Sequence, residues 1–109
     1  MAESRPTIST HVLDVGSGRP AAGLPVRLTR LVDGLDHPCG DGSTDGDGRI
    51  ADLLVGGALE AGDYRITFDV DDGGFFRSVS IEFRVADPAH SVHVPLIRAP
   101  YSLSTYRGS

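Results

Sequence analysis

The chain has 109 residues, 39% of them hydrophobic and 23% charged, which is ordinary globular usage and fits one compact domain over residues 1–109. Fifteen acids against ten bases leave a formal net charge of −5, the wrong sign for gripping nucleic-acid phosphates, and every base is arginine, so there is no lysine for Schiff-base chemistry. The single cysteine, Cys39, excludes an internal disulfide, and no run of about 18 apolar residues offers a membrane-spanning helix.

The opening residues 1–10 are polar and lack the pattern of a secretory signal, from which a cytoplasmic location is expected. Residues 8–15 are β-rich with polar insertions, and Gly16-Ser17-Gly18-Arg19-Pro20 reads as a turn. Residues 26–31 alternate weakly, and the glycine-rich stretch 40–48 reads as punctuation. Residues 52–60 offer the one place for a helical turn, weakened by Gly56-Gly57. Two segments alternate cleanly. Tyr64, Ile66, Phe68 and Val70 oppose Arg65, Thr67 and Asp69; after the turn Asp71-Asp72-Gly73-Gly74, Val79, Ile81, Phe83 and Val85 oppose Ser80, Glu82 and Arg84. Residues 91–97 and 101–106 complete the strand candidates. Fourteen glycines and seven prolines set turns every eight to twelve positions or so, the spacing of an all-β, two-sheet sandwich.

The residues that break this pattern carry the functional information. His11 and His93 interrupt strands, and since side chains alternate, His93 points away from Val92 and Val94. If those valines face the core, the histidine faces solvent or a partner; a surface or hydrogen-bonded structural histidine is the plain alternative. Arg49 follows the turn Asp45-Gly46-Asp47-Gly48, where the plain reading is an ion pair with a turn aspartate. Asp41, Ser43, Asp45, Gly46 and Asp52 half-match a calcium loop, but position twelve is Asp52 where glutamate is required, and no helices flank it. His37, Cys39 and His90 sit in or beside turns and are read as incidental.

Taken together, the segments Ser9-Thr10-His11-Val12-Leu13-Asp14, Thr44-Asp45-Gly46-Asp47-Gly48-Arg49, Gly62-Asp63-Tyr64-Arg65, His93-Val94-Pro95-Leu96 and Tyr101 with the closing Ser104-Thr105-Tyr106-Arg107-Gly108-Ser109 resemble the 5-hydroxyisourate hydrolase family, the enzymatic relatives of transthyretin. The resemblance runs over nearly the whole chain, and the closing Tyr-Arg-Gly-Ser is its most specific element. It implies a transthyretin-like sandwich of two four-stranded sheets, assembled as a homotetramer with sites along a channel between dimers. It implies hydrolysis of 5-hydroxyisourate to 2-oxo-4-hydroxy-4-carboxy-5-ureidoimidazoline without metal or organic cofactor. It further implies His11, Arg49 and His93 as catalytic residues, with Tyr106, Arg107, Gly108 and Ser109 binding substrate.

The residue types suit that chemistry. A histidine, with an unperturbed pKa of about 6.5, can take a proton from water attacking a ring carbonyl. An arginine fork can hold urea-like oxygens and offset the charge of a tetrahedral intermediate. Which histidine takes the first proton stays open at this level. Three departures from the family pattern stand out: Ser91 where a second histidine is usual, Arg98 in an otherwise apolar stretch, and Asp71-Asp72-Gly73-Gly74 leading straight to Phe75-Phe76, so that the family's short helix is expected to be lost. The runner-up function is a non-catalytic, transthyretin-like carrier of small ligands.

Overall fold

The computed structural model describes residues 5–108. Its elements, in chain order, are β1 (Ile8–Asp14), β2 (Arg19–Pro20), β3 (Pro25–Val32), β4 (Leu35–Ser43), β5 (Arg49–Ile50), β6 (Gly62–Asp69), β7 (Ser78–Val85), β8 (Val92–His93), β9 (Leu96–Ala99) and β10 (Ser102–Thr105). No helix occurs among the described residues, so the segment after β6 is indeed a loop and the turn expected in 52–60 is not helical. Gly56 adopts a φ of 74° there, and Leu53, Leu54 and Leu59 are buried on either side of it as core filling.

One sheet has the order β4-β3-β6-β7. The other runs β10-β9-β1-β2, with β5 and β8 also paired to β1. Along one side of β1 lie β8 and β9, both parallel to it; along the other lie β2 and β5, both antiparallel. Six strands thus take four positions, which refines the expected four-stranded sheet. The single strand expected over 91–97 is split because Pro95 has no N–H to give to a ladder. Threonine hydroxyls satisfy the carbonyls at the break: Thr10 Oγ1 donates to Val94 O at 2.7 Å and Thr105 Oγ1 to Pro95 O at 2.7 Å.

Alternation in β6 becomes burial as expected, with Tyr64, Ile66 and Phe68 packed against Ile8, Val12 and Leu96 in the core. In β7 Val85 is buried, whereas Val79, Ile81 and Phe83 are half-buried because β7 is the edge of its sheet. The reading of 40–48 as punctuation holds for 44–48 and is corrected for its first half: Gly40 and Gly42 lie inside β4. A Cβ at Gly40 would sit 2.0 Å from the Leu53 carbonyl oxygen, so this glycine permits a close backbone approach and makes no turn. The hairpin between β3 and β4 turns at Asp33-Gly34, whose φ angles of 52° and 78° fit the primed turns of tight hairpins.

Arg98 also finds its explanation in the fold. Its guanidinium donates to Asp72 at 2.7 Å, in the loop that stands where a helix is missing, and Phe76 of that loop packs on the core. The unexpected charge is compensated within the chain.

Candidate active site

The site grows from the middle of β1. Ile8, Thr10 and Val12 face the core, so Ser9, His11 and Leu13 line the outer face of the sheet. On one side β8 places His93 opposite Ser9; on the other β5 places Arg49 opposite His11. Adjacent strands are about 4.8 Å apart, so three short segments distant in sequence deliver Ser9, His11, Arg49 and His93 to one patch. Val92 and Val94 are buried and Ile50 packs on the core, which turns His93 and Arg49 outward.

Each histidine is anchored through one ring nitrogen. His11 Nε2 lies 2.9 Å from the Asp47 carbonyl, which can only accept, so Nε2 carries a proton and Nδ1 is left for other partners. His93 Nδ1 lies 2.8 Å from Ser9 Oγ, leaving Nε2. Burial, followed by the charges of Arg49 and His11, holds the His93 pKa below the usual 6.5, while the Ser9 main chain pulls the other way. His93 is therefore neutral and able to accept a proton at neutral pH.

The turn before Arg49 is built by Asp45. Its Oδ1 accepts the main-chain N–H of Asp47 and of Arg49, each at 2.9 Å, and these donors hold its carboxyl below the ordinary range. The plain reading of an Arg49–aspartate ion pair is corrected here: the aspartate binds the arginine's backbone, and among the described residues the guanidinium has no ion-pair partner. Gly48, at φ 75°, completes the turn, since a Cβ there would meet Val12 O at 2.5 Å. The same turn presents the Asp47 carbonyl to His11. With Asp45 engaged by the main chain, the half-match to a calcium loop does not close around a cation, and no cluster of three or more His, Cys, Asp or Glu able to hold a metal ion is found among the described residues.

The C-terminal residues named from the sequence divide. Gly108 belongs to the patch: it pairs with His93, its N–H donating to His93 O at 2.8 Å, and a Cβ on it would lie 2.4 Å from His93 Cδ2. Glycine is required for the backbone to lie against the imidazole. Tyr106 and Arg107 are placed elsewhere within this chain, lining an apolar groove of about 340 Å³ with Ile81, Phe83, Val92 and Val94, between the β7 edge and the other sheet. The inner faces of β7 and β8 form that groove, whereas His93 points to the opposite side. Ser109 lies outside the described residues. Sequence reasoning missed Ser9 and the Asp47 carbonyl; the signal for Ser9 was its place two residues before His11, on the same face.

Comparison with known proteins agrees with this architecture. The family model described as HIUase/Transthyretin family matches residues 8–108. The chain is 41% identical over 115 residues to a 5-hydroxyisourate hydrolase of Deinococcus radiodurans, covering 95% of this chain and 97% of that one. It superposes on the structure of Klebsiella pneumoniae 5-hydroxyisourate hydrolase with a TM-score of 0.80 at 35% identity, covering 94% and 99% of the two chains. Transthyretin from Sparus aurata superposes with a TM-score of 0.86 at 24% identity, covering 95% and 97%, a likeness of fold alone.

Proposed function

The chain belongs to the HIUase/Transthyretin family, and from that membership together with the patch on β1 we infer that it is a 5-hydroxyisourate hydrolase of urate degradation. It converts 5-hydroxyisourate to 2-oxo-4-hydroxy-4-carboxy-5-ureidoimidazoline. Water adds to a ring carbonyl while a histidine takes its proton; the ring C–N bond then breaks and the leaving nitrogen receives a proton. The observation that carries this reading is the convergence of His11, Arg49 and His93 from three strands on one face.

In this reading His11 and His93 handle protons, and Arg49, whose fork is not taken by a carboxylate among the described residues, binds the substrate oxygens and stabilises the oxyanion. Gly108 lets the chain lie against His93. Tyr106 and Arg107 complete substrate binding from a second copy, because the groove holding them lies on the other side of β8 from His93 within one chain, and Ser109 is assigned to substrate binding from the family resemblance alone. That requires at least a second subunit facing the outer face of β1, and the homotetramer is the assembly this reading takes. No metal or organic cofactor enters the reaction. Cytoplasmic residence is the last part of this reading, tested by cell fractionation.

The experiment generates 5-hydroxyisourate in situ from urate with urate oxidase and follows its ultraviolet band. Decay faster than the spontaneous rate supports the hydrolase; saturable binding with no acceleration points to a carrier instead.

A further inference from the structure

Ser9 stands directly opposite His93 in the parallel pair of β1 and β8, and it holds that strand twice. Its carbonyl accepts the Val94 N–H at 2.9 Å, and its hydroxyl meets His93 Nδ1 at 2.8 Å. On the other side of His93, Gly108 fixes the backbone and closes over the ring. The imidazole is therefore pinned at the Nδ1 end and covered on one face, with Nε2 left over.

A hydroxyl can donate to Nδ1 or accept from it, so the direction of this bond decides which nitrogen is basic. The Ser9 main chain favours the protonated ring, an effect that needs an acceptor beside a ring N–H. With the hydrogen on Nδ1, the Ser9 hydroxyl oxygen accepts it across the 2.8 Å contact. His11 is held the opposite way, through Nε2–H to the Asp47 carbonyl. The two imidazoles thus present unlike nitrogens.

We propose that Ser9 is a positioning residue that fixes His93 in its Nδ1–H form, so that His93 Nε2 is the atom that takes the proton from attacking water. This rests on the hydrolase reading, and it names the base that the sequence leaves open. The titratable and charged groups facing His93 are Arg49 on β5 and His11 on β1; Ser9 and Gly108 carry no charge.

The test has two arms. Two-bond proton–nitrogen correlation on the full chain with labelled histidine reads the tautomer without substrate: wild type and Ser9→Thr should show His93 protonated at Nδ1 and bare at Nε2, and Ser9→Ala should lose that pattern. In the hydrolysis assay, Ser9→Ala should lower kcat about tenfold with little change in KM, as expected for one lost hydrogen bond. Its acid limb should move to lower pH, because the hydroxyl oxygen that accepts from Nδ1–H, in a bond that strengthens when the ring is charged, is gone while the main chain stays, and Ser9→Thr should restore both. A wild-type His93 protonated at Nε2, or a tautomer and pH profile unchanged in Ser9→Ala, overturns the proposal. A wild type with the expected tautomer and no hydrolysis overturns the hydrolase reading instead.

Discussion

Arg49 and Arg65 both point outward from the sandwich, one from each sheet, and their surroundings differ in kind. Arg65, on β6, is fully engaged: its guanidinium reaches Asp36 of β4 at 2.6 Å and Glu82 of β7 at 2.8 Å. Beside it Thr67 and Ser80 share a hydrogen bond at 3.0 Å, so the outer face of this sheet satisfies itself by side-chain pairs across strands. Around Arg49 the anchoring goes through the main chain. Asp45 binds backbone N–H groups, the Asp47 carbonyl takes one nitrogen of His11, and the reactive ends stay uncommitted. Two outer faces of similar polarity are thus one a self-paired surface and the other a set of groups held in place with chemistry to spare.

That contrast can be broken most sharply at the histidines. His93→Ala or His11→Ala should slow 5-hydroxyisourate hydrolysis by about 10²-fold or more, the usual scale for a lost general acid or base, with circular dichroism unchanged. Gly108→Ala tests anchoring without removing a reactive group. Its new methyl would collide with the His93 ring, and we expect a loss on the order of tenfold, with the His93 ring resonances displaced in a proton spectrum.

The pH dependence follows from the lowered pKa of His93. The neutral base is present at and above pH 6.5, so kcat/KM should hold to that point and fall only at more acidic pH. Stability should move in the same direction. Unfolded His93 binds a proton more readily than folded His93, so its contribution is complete above 6.5 and is lost as pH falls toward the folded value. The lowered carboxyl pKa values of Asp45, Asp52 and Asp72 extend the loss below 3.8. Urea melts on either side of pH 6.5 check the sign.

Much of this was legible before the structure. Period-two alternation at Tyr64–Val70 is sufficient for a buried strand because it packs between two others, and a histidine between two valines had to face outward once those valines were core. Other features were hidden for physical reasons. Strand β4 carries glycine, proline and aspartate because it is an edge strand crossed closely by the Leu53 backbone, and composition alone reads such a segment as loop; Asp33-Gly34 was the overlooked hairpin signal. Arg98 reads from sequence only as a charge in an apolar stretch because its partner, Asp72, lies 26 residues away in a loop of no local pattern. Spacing puts Ser9 on the face of His11, but its contact with His93 depends on strand pairing across 84 residues, which no spacing rule exposes.

The two arginines give the most direct test of the account. Arg49→Ala and Arg65→Ala are measured side by side in the urate oxidase-coupled assay, with thermal melts on the same samples. The account predicts that Arg49→Ala loses about 10²-fold or more in rate, as for a removed oxyanion stabiliser, and melts like wild type, whereas Arg65→Ala lowers the melting temperature slightly and keeps its rate. Equal losses in both, or a fully active Arg49→Ala, would contradict the assignment of catalysis to the outer face of β1.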